Sequence, residues 1–68
     1  MTIGNKIEYL RNKSNHTRDE LAEYIGTTSK IVYNVEKGIS EPNLHFIEKV
    51  CKRYKVSADY LIFGDKDA

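Results

Sequence analysis

The chain has 68 residues, 11 Lys and Arg against 10 Asp and Glu, and a formal net charge of +1. A single domain of this size buries only about 60% of the surface its unfolded form exposes, which leaves little room for both a scaffold and an enclosed catalytic pocket. One cysteine, Cys51, and no run of about 18 apolar residues exclude an internal disulfide framework and a transmembrane helix. The N-terminus, MTIGNKIEYL, lacks the apolar stretch of a signal peptide, so a soluble, cytoplasmic protein is expected.

Ile3, Ile7 and Leu10 recur at helical spacing and predict a first helix over residues 3–13, ended by the polar run Lys13-Ser14-Asn15-His16. Thr17, with Glu20 three residues on, forms a capping box. Leu21, Ala22 and Ile25 then make the apolar face of a short second helix, which Gly26 stops by supplying left-handed backbone geometry. Thr28 caps a third helix; Val32 and Val35 are its inward stripe, and Gly38 ends it just after Lys37. Ile39-Ser40-Glu41 is a loop, and Pro42 suits the first turn of a fourth helix of about residues 43–54. Leu44, Ile47, Val50, Cys51 and Tyr54 mark the inward stripe of that helix, with Phe46 opposite it at the surface. Ser57 caps a fifth helix from Ala58 to Phe63, and residues 65–68 form a frayed tail. The expected fold class is all-α, a compact five-helix bundle occupying residues 1–64.

Charge is unevenly spread. Lys6, Arg11, Lys13 and Arg18 face only Glu8 in the first 18 residues, and Lys49, Lys52, Arg53 and Lys55 form a second group with no acid inside it. Phosphate binding depends on such local excess rather than on net charge, although most clusters of this kind are solvated helix faces.

The stretch from Arg18 to Lys37 carries the most specific pattern. Leu21, Ala22, Ile25, Gly26, Val32 and Val35 stand where two helices crossing through a three-residue turn need them. Ala22 lies at the close approach, and Gly26 permits the reversal. This pattern resembles the helix-turn-helix of the phage-repressor family, also called the Xre or Cro/C1 family. The blocks Ile3-Gly4-x-x-Ile7-x-x-Leu10-Arg11, Glu20-Leu21-Ala22, Glu36-Lys37-Gly38, Glu41-Pro42-x-Leu44 and Val56-Ser57-x-x-x-Leu61 extend the resemblance over most of the chain.

What the resemblance implies is a lambda-repressor-like bundle whose second and third helices dock on double-stranded DNA. It maps base-edge contacts onto Thr28, Ser29, Lys30, Tyr33 and Asn34. Backbone contacts map onto Thr17, Lys37, Ser40 and Asn43, with Arg18 replacing the family's usual glutamine and still able to grip phosphate. It also implies a buried ion pair between Arg11 and Glu36. Tyr33 stands in place of a small residue, and Ile31, in place of a frequent threonine, either packs inward or meets a thymine methyl.

Taken alone, the third helix turns Lys30, Asn34 and Lys37 outward, opposite Val32 and Val35, with Tyr33 toward the same side and Ser29 at the N-terminal edge. Hydroxyl, ammonium, phenol and amide groups with no acid among them suit a DNA groove. His16 and His45 lack a cluster of ligands around them, so no metal or cofactor is expected, and no small-molecule ligand is evident. Cys51 reads as a small core residue. No nucleophile and base are paired, and an enzyme is not expected. Tyr60, Ile62 and Phe63 either cap the core or form a twofold dimer contact. The resulting expectation is a sequence-specific transcription regulator, a repressor binding a palindromic operator as a homodimer. The alternative is a protein-interaction module that keeps the fold without specific DNA binding.

Overall fold

A computed structural model describes residues 2–64; the tail expected at 65–68 lies outside them. Its five helices are α1 (Ile3–Lys13), α2 (Arg18–Ile25), α3 (Ser29–Glu36), α4 (Leu44–Tyr54) and α5 (Ala58–Phe63). Each begins at a short polar residue whose side chain accepts a hydrogen bond from a backbone N–H in the first turn: Thr2, Thr17, Thr28, Asn43 and Ser57. Such caps satisfy donors that the helix leaves without an internal partner. No helix among the described residues is long and apolar enough to cross a membrane.

A positive-φ residue follows each of the five helices: Asn15, Gly26, Gly38, Lys55 and Gly64. Gly26 (φ 89°) ends α2 without steric cost, while Asn15 (φ 61°) follows α1, an asparagine being among the side chains that tolerate this region. Pro42 precedes the Asn43 cap instead of opening the helix, a correction to the expected first-turn position. The Asn43 Oδ1 accepts from the Phe46 N–H at 2.8 Å and fixes the start of α4.

The core joins Ile7, Leu21, Ala22, Ile25, Val32, Val35, Phe46, Val50 and Leu61. Helix α3 packs on both α2 and α1, α4 packs on α2, and α5 packs on both α1 and α4. Gly4 sits where α1 meets the end of α3. A Cβ there would lie 2.1 Å from the Val35 carbonyl oxygen and 2.8 Å from that of Glu36, so only glycine allows the approach.

The stripe of α4 differs from expectation. Phe46 is 4% exposed and Leu44 71% exposed, the reverse of the roles assigned to them. At 100° per residue, Phe46 lies about 40° from the fully buried Val50, whereas Leu44 lies about 120° away. Phe46 therefore joins Ile25, Val35 and Val50 in the core.

Candidate nucleic-acid interface

The α2–α3 pair is joined by Gly26, Thr27 and Thr28, a three-residue turn held by bonds from the Gly26 and Thr27 N–H groups to the Ala22 carbonyl at 2.8 and 2.9 Å. Packing of α3 against α2 and α1 buries Val32, Val35 and Glu36 and leaves Lys30, Ile31 and Tyr33 exposed, with Ser29 and Asn34 half-buried. The only acid on this helix, Glu36, is fully buried, so the outward side carries no negative charge. Ile31 is 44% exposed on the flank of the buried stripe.

Most expected contact residues already have structural duties. Thr17 makes a reciprocal box: its hydroxyl accepts from the Glu20 N–H at 3.1 Å while its own N–H donates to Glu20 Oε1 at 2.8 Å. That backbone bond holds the Glu20 carboxyl below its ordinary range. Thr28 accepts from the Ile31 N–H at 3.2 Å. In each threonine the hydroxyl proton is not used by the cap and is left to donate to another acceptor. The Asn43 amide nitrogen is likewise not used by its cap. The Ser29 hydroxyl donates to Asp19, bridging the starts of α3 and α2. Ser40 lies exposed in the loop after α3, its N–H on the Asn34 carbonyl at 3.2 Å.

Behind the pair lies a charged network. Arg11 donates to Glu36 through Nε at 2.7 Å and Nη2 at 3.1 Å, and its Nη1 reaches the His16 carbonyl at 2.8 Å. These bonds with the Glu36 carboxylate raise the Arg11 pKa above its ordinary value. Arg18 adds a second cation to the same carboxylate, Nε to Glu36 Oε1 at 2.8 Å, and its Nη2 lies 3.4 Å from Glu8 Oε2. The Lys37 Nζ also lies 3.4 Å from that oxygen. Tyr33 rests against both cations, its ring centroid 5.0 Å from the Arg18 guanidinium carbon and 5.9 Å from Lys37 Nζ.

From sequence, Lys6 and Glu8 are only members of the N-terminal charge cluster, and Asp19 carries no signal at all. Lys6 is buried and donates to the carbonyls of Tyr60 and Leu61 at 3.2 and 3.0 Å, closing the end of α5. With Lys6, Arg11 and Arg18 all engaged internally, the basic cluster of the first 18 residues reduces largely to Lys13. Signals for this existed only in part: Lys6 adjoins Ile7 on the inward side of α1, but the acceptors sit over 50 residues away in sequence.

His16 stacks near Tyr54, with Nδ1 3.2 Å from the phenol oxygen and Nε2 2.8 Å from Arg53 Nη2. His45 Nε2 is 3.0 Å from the Ile25 carbonyl. Burial raises the Cys51 thiol pKa, which keeps it protonated and poorly nucleophilic near neutrality. Among the described residues no three His, Cys, Asp or Glu gather as a metal site. Tyr60 packs partly against the core, while Ile62 and Phe63 are exposed.

Residues 7–61 match the helix-turn-helix family, and the chain belongs to it, as a member of the phage-repressor (Xre, Cro/C1) type. It is 33% identical over 98% of its length to the transcriptional regulator DicA of Escherichia coli (strain K12), covering 50% of that protein. It is 29% identical over 97% of its length to the transcriptional regulator ImmR of Bacillus subtilis (strain 168), covering 52%. The chain thus spans about half the length of these relatives. Among solved structures, the P22 c2 repressor in complex with a synthetic operator superposes with a TM-score of 0.89 at 26% identity, over 96% of this chain and 98% of that one.

Proposed function

We propose that this protein is a sequence-specific, double-stranded DNA-binding transcription regulator that represses by occupying an operator, without chemistry. The observation that carries the reading is the acid-free outward side of α3, presented by the α2–α3 turn. A helix about 10–12 Å across with its side chains fits a major groove about 12 Å wide. Lys30, Tyr33 and Asn34 meet base edges, with Thr28 and Ser29 at the N-terminal end of the helix. Thr17, Lys37, Ser40 and Asn43 meet phosphates, the two caps among them through hydrogens their helices do not use. The likeness to a repressor captured with its operator supports the same docking. A pair of copies related by a twofold axis presents two α3 helices about 34 Å apart and reads a palindrome. The expected setting is the cytoplasm.

The test is binding to random duplex DNA at 50 mM and 200 mM salt, followed by selection of bound sequences from a random pool. Two cations per copy, Lys30 and Lys37, predict a loss of roughly tenfold per bound copy across that range. The internal engagement of Lys6, Arg11 and Arg18 favours the second reading, a module for binding protein partners. Folded protein that ignores duplex DNA at low salt selects that reading instead.

A further inference from the structure

We infer that Tyr33 is a determinant of operator choice and that Arg18 is its positioning residue, not a phosphate ligand. The inference rests on the DNA-binding reading above and sharpens it. Arg18 opens α2 at the rim of the expected interface, where a free guanidinium would reach a phosphate. Two of the three guanidinium nitrogens already have partners. Nε is bonded to Glu36, a carboxylate with no solvent exposure, and Nη2 lies against Glu8. Leaving those partners for a phosphate would strip one of two cations from a buried carboxylate, which is unfavourable.

The anchored guanidinium instead lies against the Tyr33 ring, with Lys37 approaching the same ring and sharing Glu8. Cations this close to an aromatic ring attract it electrostatically. The ring belongs to α3, and 43% of the residue remains exposed. Tyr33 is therefore a bulky, amphipathic side chain drawn toward two cations on the side of α3 that faces the groove in this reading. A ring already ordered loses little rotamer freedom on docking, and aromatic side chains supply large contact area at low entropic cost. A fixed ring also selects: base pairs whose groove edge leaves room for it, or offers a methyl or an acceptor, are accepted, and the rest are rejected. A mobile tyrosine would swing aside and discriminate less.

The experiment uses an operator selected by the wild-type protein, a random duplex, and the variants Arg18→Lys, Arg18→Gln, Tyr33→Ala and the double variant Arg18→Lys/Tyr33→Ala. The readout is the ratio of operator to random-duplex affinity in one sample, which does not depend on the folded fraction. Expected is a roughly tenfold or larger fall in that ratio for Tyr33→Ala, a similar fall for Arg18→Lys, and no further fall in the double variant. The salt dependence of Arg18→Gln on random duplex is expected to match wild type. An Arg18→Gln slope shallower by about one unit would assign Arg18 to a phosphate and overturn the inference, as would additive losses in the double variant. Failure of the wild type to bind duplex DNA would overturn the DNA-binding reading itself, and this inference with it.

Discussion

At the residue scale, the decisive positions are those where one atom has no alternative. Gly4 and Gly26 are both glycines for different reasons, and the difference is measurable. A methyl at Gly4 meets backbone oxygen at 2.1 Å, so α1 and α3 must separate; at Gly26 it meets nothing within 4 Å and suffers only the left-handed conformation. Gly26→Ala is expected to cost about 1–2 kcal/mol, the usual strain of that backbone region. Gly4→Ala is expected to exceed it, at about 3 kcal/mol or more, because the obstruction is backbone that cannot rotate away. Urea unfolding of the two variants gives the order directly. Glu36 is the other such residue. Glu36→Ala leaves Arg11 buried without its carboxylate and frees Arg18, a loss of about 3–5 kcal/mol. In a domain of this size that lowers Tm by well over 10 °C. An unchanged melting temperature would mean that the network contributes nothing.

At the element scale, five helices are held at their starts by five side-chain caps, and the Thr17–Glu20 box is the one with a titratable half. Its pKa is depressed, so the stabilisation it contributes is present above the ordinary glutamate value of 4.5 and is lost as pH falls through the lower folded value. Glu20→Gln should therefore melt below wild type at pH 7, and the gap should close as the solution is acidified below pH 4.5. A gap that does not depend on pH would show that the carboxylate's charge is irrelevant to the cap. These caps, together with Ala22, Gly26 and the Val32–Val35 spacing, made the elements legible in the sequence, because they are local signals read over three or four residues. What local spacing did not reveal is long-range partnership. Nothing near Lys6 announces the end of α5, and nothing in Arg18 announces Glu8 and Glu36, 10 and 18 residues away. The inward side of Phe46 follows from spacing alone once Val50, and not Leu44, is the reference. The candidate contact face was legible as a list of residue types, but not which of its cations are already occupied.

At the scale of the whole molecule, the two exposed apolar side chains of α5 are the contact we propose between two copies. Ile62 is 49% and Phe63 60% exposed, while Tyr60 is packed partly against the core beside Lys6. Lys6 holds the end of this helix to α1 through two carbonyls, so the pair of side chains is offered on a fixed support. A six-residue helix is only about 9 Å long. Two of them cannot reach the roughly 1,200 Å² that a stable interface ordinarily buries, so a dimer through α5 should be weak in free solution. On an operator the situation changes, because the first bound copy raises the effective concentration of its neighbour at the adjoining half-site. We therefore expect monomers by light scattering at micromolar concentration and cooperative binding to a selected palindrome. Phe63→Glu should abolish that cooperativity, leave the affinity for a single half-site within about twofold, and change Tm little, since the residue is exposed. Retention of cooperative binding in Phe63→Glu would move the dimer contact away from α5. A stable dimer without DNA would instead require a larger contact surface than α5 alone provides.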